Sequence, residues 1–236
     1  LYRCQEIPCS YEKVLVDNGS WSHLAVDAET GKTVYPLGEG WRVVQYEDNR
    51  GHIVGQNRCF ESAQGEWVLF VANDVRLLPG TVSMLWGLQR QLNLGFDLAQ
   101  LQPVCIAPGY RLDNGGLTWH WPGYGRSVRQ DPGTCQRLAV TSTCYLMART
   151  VWKKIGQFDE NLLSSHEDIE LGLRLTQQGY TNACCWEAMV VHLGNATLRH
   201  QPSHNRAAFH RDRCYVVRKH YRGLDRRIRI LCINLI

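Results

Sequence analysis

Short apolar runs that end on polar residues alternate with stretches of helical spacing along most of this chain. Val14–Val16 leads into Asp17, and Val68–Ala72 leads into Asn73. Continuous apolar runs of this length are typical of strands buried on both faces of a sheet, and their alternation with helices predicts an α/β fold. Because ligands bind beyond the carboxyl ends of the strands in such sheets, the polar residues at these ends are the first candidates for a functional site.

The same patterns divide the chain into predicted elements. We expect strands at Lys13–Val16, WRVVQYE, EWVLFVAND, FDLAQLQPV, Leu138–Met147 and Met189–His192, and helices at His52–Gln64, Thr81–Leu92, Thr150–Ile155, His166–Gln178 and Ser203–Tyr221. The stretch Tyr110–Thr134 is rich in Gly and Trp, which predicts a loop or short hairpin. The apolar end IRILCINLI fits a final strand, an interfacial segment or the start of a longer segment.

Composition limits the classes of protein that the chain can belong to. Its 236 residues are enough for one buried core, and its net charge is +4. The ten cysteines include no CxxC pair, so a zinc ribbon is disfavoured and free thiols in a reducing, cytoplasmic setting are expected. The C-terminal part, Arg199–Ile236, is basic, with ten Lys and Arg against two Asp. Such a segment can be a solvated helix face, a contact with an anionic membrane or a nucleic-acid patch.

Two strand ends carry residues suited to binding a nucleotide and a cation. At Asp17-Asn18-Gly19, a carboxylate and an amide can contact a base edge, although an ordinary Asx turn has the same pattern. At Asn73-Asp74, a carboxylate emerges from a buried strand and offers the hard oxygen that Mg²⁺ and Mn²⁺ prefer. The alternative for Asp74 is a cap of the following turn.

A predicted helix start and a predicted strand end supply further candidates. The segment His166–Glu170 holds three acids, which suit the helix dipole but could also include a general base. His192 follows the apolar run Met189–Val191, where it can be structural or can bind a divalent metal.

Taken in order, these motifs resemble those of the family-two inverting glycosyltransferases with the GT-A fold. The likeness covers about residues 14–197 through VLVDNGS, the stretch from DNRG to ANDV, the stretch from VTSTC to SSHEDIEL, and VVHLGNAT, and it is greatest to the bacterial rhamnosyltransferase-like branch. It implies a Rossmann-like, mostly parallel mixed sheet flanked by helices. Leu1–Pro8 resembles the end of the helix that follows the family's first strand, so that strand is expected to be missing. Residues 1–198 would form the nucleotide-sugar-binding catalytic domain, and residues 199–236 a basic helical extension packed on it.

The resemblance implies roles for individual residues. Asp168 would be the catalytic base, with Glu167 supporting it, and Asp74 and His192 would bind Mn²⁺ or Mg²⁺ at a position where Asn73 replaces the family's first acid. The residues expected to bind donor or acceptor are Asp17, Asn18, Asn49, Gly51, Asn57, Asn73, Trp119, Trp121 and Glu170. The two tryptophans could stack on sugar faces or simply cover the sheet.

The activity implied is sugar transfer, with inversion, from a nucleotide-diphosphate sugar to a hydroxyl of a glycan or lipid-linked saccharide in polysaccharide or cell-wall synthesis. Rhamnose is a candidate sugar. The expected location is cytoplasmic, with peripheral membrane contact through the basic C-terminus and no nucleic-acid partner. The main alternative is a non-catalytic nucleotide-sugar-binding or scaffold protein. A nucleotidyltransferase is disfavoured because no Gly-rich basic phosphate loop lies near the N-terminus.

Overall fold

A computed structural model describes residues 9–19, 25–26, 33–34, 37–92, 97–129, 135–163, 165–194 and 202–235. The strands are β1 (Lys13–Asp17), β2 (Ala25–Val26), β3 (Thr33–Val34), β4 (Trp41–Gln45), β5 (Trp67–Val71), β6 (Val75–Leu77), β7 (Leu98–Ala107), β8 (Arg111–Asn114), β9 (Leu117–His120), β10 (Tyr124–Ser127), β11 (Cys135–Arg137), β12 (Cys144–Ala148) and β13 (Thr181–His192). The helices are α1 (His52–Ser62), α2 (Thr81–Leu92), α3 (Arg149–Ile155), α4 (Glu167–Gln177), α5 (Pro202–His220) and α6 (Gly223–Asn234). Residues 1–8, on which the expectation of a missing first strand rests, and the predicted domain boundary at 198–199 lie outside the described residues.

The central sheet is mixed and has the order β11-β13-β7-β12-β5. Strands β7 and β13 are parallel, whereas β12 runs antiparallel to both β5 and β7. The three strands β5, β7 and β13 therefore share one direction. A separate parallel pair joins β1 to β4. The predicted α/β fold, with a mixed sheet flanked by helices, is confirmed.

Helices cover both faces of this sheet, and the alternation of side chains along β12 shows how. Tyr145 and Met147 point into a core shared with α1, α3 and α4, while Leu146 between them points into a core shared with α2. Successive side chains of a strand point to opposite faces, so a continuous apolar run is needed where both faces are covered. Phe60 stacks on Trp152, with ring centroids 5.4 Å apart, and closes the first of these cores.

Three elements differ from the predictions. Leu138–Met147 was expected to be one strand, but the regular strand β12 begins only at Cys144. The strand expected at Met189–His192 is the end of β13, which begins at Thr181. The apolar C-terminal run forms helix α6 rather than a final strand. Among the described helices, none has the length and apolarity needed to cross a bilayer.

The two C-terminal helices pack on the body of the protein through specific contacts. The Trp119 indole donates a hydrogen bond to the Tyr221 hydroxyl at 2.9 Å. The buried Asp212 carboxylate on α5 accepts hydrogen bonds from the backbone N–H groups of Leu163 and Ser165, each at 3.1 Å. Because Ser165 precedes α4 by two residues, α5 fixes the approach to the helix that carries the predicted base.

Candidate active site

The end of β1 forms one wall of the site through Asp17 and Asn18. Asp17 is buried at the last position of the strand. The Asn18 amide donates to the Gly51 carbonyl at 2.8 Å, and its oxygen accepts a hydrogen bond from Arg58. Asn49 in turn accepts from the Gly51 N–H at 3.0 Å. Asn18, Asn49 and Gly51, which the sequence grouped as donor-binding residues, therefore lie together in the structure.

Gly19 shows why this corner needs a residue without a side chain. Its φ is +80°, and an added Cβ would lie 2.5 Å from the backbone nitrogen of Asn49. That distance is too short for any real Cβ contact, so the turn after β1 can approach the 48–51 loop only with glycine.

A second group of side chains lies at the ends of β5 and β13. The His192 Nε2 atom lies 3.3 Å from a carboxylate oxygen of Asp74, and its Nδ1 atom lies 3.1 Å from a carboxylate oxygen of Asp113. Pairing of β13 with β6 brings His192 beside Asp74, since His192 is opposite Val75. The Leu193 N–H also donates to the Asp74 carbonyl at 2.9 Å.

This histidine has a hydrogen-bonding problem that a cation would resolve. A neutral imidazole has one N–H and one lone pair, so it can donate to only one of the two carboxylates. If Nδ1 donates to Asp113, the Nε2 lone pair faces Asp74, and a proton or a metal ion is needed between the two atoms. Metal-binding histidines usually donate their other N–H to a carboxylate in this way.

The donor set suits a divalent metal that the substrate helps to bind. Within the described ranges, no group of three His, Cys, Asp or Glu side chains is arranged to hold a metal ion by itself. Mg²⁺ and Mn²⁺ are commonly held by one or two protein ligands together with substrate phosphates, however. Asp74 and His192 fit that pattern, with Asp113 orienting the imidazole.

The start of α4 holds the predicted base and its neighbour. Glu167 is buried, and one of its oxygens accepts a hydrogen bond from Ser142 at 2.7 Å and lies 3.2 Å from His52 Nε2. Although burial acts to raise the pKa of Glu167, the contacts with His52 and Ser142 hold it below its usual value. Glu167 is therefore a fixed negative charge beside Asp168.

Asp168 has the electrostatic environment of a general base that works near neutral pH. Burial, together with the adjacent charge of Glu167, raises the pKa of the Asp168 carboxyl to about 8. One of its oxygens accepts only a local hydrogen bond, from the Ile169 N–H at 2.8 Å. A carboxylate with a raised pKa binds a proton more strongly, which suits it to removing one from a hydroxyl group.

Hydrogen bonds and short chain segments connect the turn after β1, the start of α4 and the end of β5. Gly51 precedes His52, which contacts Glu167, and Glu167 accepts from Ser142. The carbonyl of the next residue, Thr143, accepts from the Ala72 N–H at 2.9 Å, two residues before Asp74. The structure therefore brings the β1 turn, the start of α4 and the end of β5 to one side of the sheet.

Three of the predicted substrate-binding residues make contacts within the protein. The buried Asn57 side chain bonds to the backbone of Phe158 and to Glu160. Glu170 is fully buried and pairs with Arg174, Lys219 and His220.

Burial acts to raise the pKa of Glu170, but hydrogen bonding to His220 and the charge of Arg174 lower it to about 2. Glu170 therefore joins α4 to α5 as a permanent anion. The third residue, Trp119, is partly buried under the C-terminal helices, whereas Trp121 is 58% exposed and free to stack on a ligand. Asn73 is exposed next to Asp74.

Several residues near the site were not found by sequence reasoning. Asp113 lies within the short strand β8, His52 begins α1 and Ser142 lies just before β12, and no local pattern marks any of them. Phe209 on α5 is 46% exposed and its ring centroid lies 4.4 Å from that of His166. Burial and the nearby Arg213 lower the pKa of His166 to about 4, so this ring is neutral at physiological pH.

The fold and the family follow from comparison with known proteins. A crystal structure of GalNAc-T7 with UDP, GalNAc and Mn²⁺ superposes on 67% of this chain and 33% of its own, with a TM-score of 0.57 and 15% identity. The fold is thus the GT-A fold. The model of the family described as Glycosyl transferase family 2 matches residues 4–156. This chain belongs to glycosyl transferase family 2.

Two curated relatives give the match more detail. The O-antigen biosynthesis protein RfbC of Myxococcus xanthus is 28% identical over 153 residues, which are 61% of this chain but 12% of that protein. The N-acetylglucosaminyl-diphospho-decaprenol L-rhamnosyltransferase of Mycobacterium tuberculosis is 25% identical over 224 residues, 84% of this chain and 71% of the relative. Asp168 and His192 lie beyond the residues that the family model matches.

Proposed function

We propose that this glycosyltransferase moves a sugar from a nucleotide-diphosphate donor to an acceptor hydroxyl in a single inverting displacement, with Mn²⁺ or Mg²⁺ as cofactor and Asp168 as the base. The observation that carries the proposal is the position of Asp168. It lies at the start of α4, next to Glu167, which accepts a hydrogen bond from Ser142. Thr143, the residue after Ser142, is hydrogen-bonded to Ala72 at the end of the strand that leads to Asp74. The residue proposed as the base is thus linked by hydrogen bonds to the strand end that carries one of the two proposed metal ligands.

In the reaction, Asp168 accepts the proton of the acceptor hydroxyl as its oxygen attacks the anomeric carbon. The bond from that carbon to the donor phosphate breaks, and the nucleoside diphosphate leaves with the electron pair. Attack from the face opposite the leaving group inverts the configuration. One base is sufficient, because a departing diphosphate needs neutralisation by a cation rather than a proton.

Asp74 and His192 would hold the metal, which when bound neutralises charge on the departing diphosphate. Asp113 keeps the His192 ring oriented with Nε2 toward Asp74. Asp17 at the end of β1 would contact the nucleobase, in a pocket shaped by Asn18, Asn49 and Gly51. The position of these residues at strand ends and the family likeness both support these proposed roles.

The acceptor side is proposed to lie near Trp121 and the loop before α4. Trp121 and Leu163 are each more than half exposed, and Phe209 covers His166. Exposed aromatic faces of this kind suit a sugar ring. The names of the two relatives favour an acceptor in polysaccharide or cell-wall synthesis and make rhamnose a candidate sugar. A lipid-linked acceptor also fits our proposal that the basic C-terminal helices hold the chain peripherally at a membrane.

A non-catalytic nucleotide-sugar-binding protein is the second candidate, favoured by Asn73 in place of an acid. Binding and turnover separate the two. Nucleotide-diphosphate sugars should raise the melting temperature when Mn²⁺ is present, since ligands stabilise the folded state they bind. A melting temperature that no donor raises would contradict both candidates, while a donor that binds but is neither transferred nor hydrolysed would favour the second.

A further inference from the structure

A cavity of about 540 Å³ lies between the two C-terminal helices, and none of the residues that line it is assigned to catalysis. It is lined by Arg218, Arg226, Arg227, Ile230, Leu231 and Asn234. Three guanidinium groups around one cavity repel one another in the absence of an anion. The apolar pair beside them would lie against water unless an apolar partner covers it.

Several other cations of α5 and α6 have partners within the protein. Lys219 pairs with Asp159 and Glu170, and Arg229 pairs with Asp225. In the portion of the chain that the structure describes, no ion pair is found for the three arginines of the cavity. The basic character of these helices is therefore divided between a structural set facing the body and an available set at the cavity.

An apolar stripe accompanies the available arginines along α6. Leu224, Ile228, Leu231 and Leu235 are spaced by three or four residues, so they share one face of the helix. Leu224, Leu231 and Leu235 are 72%, 60% and 77% exposed. Leu231 belongs both to this stripe and to the lining of the cavity, so the exposed apolar face of α6 borders the basic cavity, a pattern typical of segments that lie in a membrane interface.

We propose that the cavity and the apolar stripe form a binding site for the surface of a membrane rich in anionic phospholipid. Phosphate oxygens meet Arg218, Arg226 and Arg227, and the leucine side chains enter the boundary between headgroups and acyl chains. A soluble polyanion would satisfy the arginines but would leave the stripe in water. This site deepens the peripheral contact that accompanies the proposed function, but it does not depend on sugar transfer.

Co-sedimentation with lipid vesicles tests the site directly. The whole 236-residue chain should bind vesicles of phosphatidylcholine containing about one quarter phosphatidylglycerol, and added salt should weaken this binding. The double variant Arg226→Gln/Arg227→Gln should bind about 30-fold more weakly, because each cation near an anionic surface contributes several-fold. The matched control Arg90→Gln/Lys153→Gln removes the same charge from exposed positions on α2 and α3 and should bind as the wild type does.

A second variant tests the apolar part. Leu231→Ser should weaken vesicle binding without changing the melting temperature, since Leu231 is exposed. The proposal is overturned if Arg226→Gln/Arg227→Gln binds vesicles like the wild type, or if this variant and the control variant lose binding equally. It is also overturned if Leu231→Ser has no effect on vesicle binding while heparin, a soluble polyanion, displaces the vesicles. Donor and metal are absent from the assay, so its failure leaves the proposed transfer untouched. Conversely, an Asp168→Asn chain that is inactive should still bind vesicles.

Discussion

The Nδ1 atom of His192 lies 3.1 Å from the Asp113 carboxylate, which fixes the ring so that Nε2 faces Asp74. Asp113 comes from β8, which pairs with β7, whereas His192 ends β13, so the contact depends on three strands. An orienting carboxylate of this kind raises the basicity of the nitrogen that binds a metal.

Replacing Asp113 with Asn should therefore weaken metal binding by about 10- to 100-fold without removing a metal ligand. Titration of Mn²⁺ in the presence of the nucleoside diphosphate, followed by electron paramagnetic resonance, measures the affinity directly. Asp97→Asn, the same change at an exposed position just before β7, is the control and should bind Mn²⁺ normally. An unchanged affinity in Asp113→Asn would show that the carboxylate does not act through His192.

The raised pKa of Asp168 predicts how the transfer rate depends on pH. The base accepts a proton only when ionised, so the rate should increase as the pH rises toward about 8 and level off above it. Glu167→Gln removes a charge that helps to raise this pKa, and the rise should then move to lower pH. Ser142→Ala loosens Glu167 but keeps its charge, so it should not produce this shift. If the transfer rate of Glu167→Gln rises over the same pH range as that of the wild type, the pH dependence does not come from Asp168.

Glu170 gives a test of structure against substrate binding. Glu170→Gln leaves Lys219, His220 and Arg174 without their buried anion, which should cost about 2–3 kcal/mol of unfolding free energy. This is below the full loss of a buried pair, because the Lys219 side chain is one-third exposed and regains water.

Urea unfolding measures this cost. Asp225→Asn breaks an exposed pair with Arg229 on α6 and should change stability by less than about 1 kcal/mol. Donor affinity of the folded Glu170→Gln chain should match the wild type. A large loss of donor affinity with normal stability would restore Glu170 to the binding site.

The two tryptophans predicted to stack on sugars should differ in their effects. Trp121→Ala removes an exposed ring, so acceptor KM should rise while the melting temperature stays nearly constant. Trp119→Ala removes a ring packed against α5 and α6 and a hydrogen bond to Tyr221, which should destabilise the chain by about 3 kcal/mol. Steady-state kinetics and thermal unfolding of both variants distinguish these outcomes. Equal effects of the two substitutions on KM would contradict the assignment.

The sequence predicted the fold best where burial on both faces of the sheet requires a continuous apolar run. The apolar runs at β5 and β7 predicted buried strands because both faces of the sheet are covered. The long strand β13 was recognised only at its end, since Asn182 and Glu187 interrupt the apolar pattern before Met189. Asn182 is nevertheless buried, where it donates to the Leu138 carbonyl at 2.7 Å. A buried polar side chain that donates to a distant carbonyl leaves no local pattern.

Some residues of the candidate site could likewise be predicted from local sequence patterns, and others could not. Asp74, Asp168 and His192 follow or begin predicted elements, so their placement could be anticipated from the chain alone. Asp113 could not, because its contact with His192 spans 79 residues and depends on how β8 pairs with β7. The contact of Glu170 with α5 was likewise hidden, since Lys219 and His220 lie about 50 residues further on.

The measurement that tests the central claim most directly is transfer from a radiolabelled nucleotide-diphosphate sugar with Mn²⁺ present, using wild type and Asp168→Asn, with the anomeric configuration of the product read by NMR. We predict an inverted linkage and a rate in the variant lower by about 10²- to 10⁴-fold at unchanged donor affinity, the usual contribution of a general base. Equal rates in the two proteins, or a product that retains the donor configuration, would contradict the account.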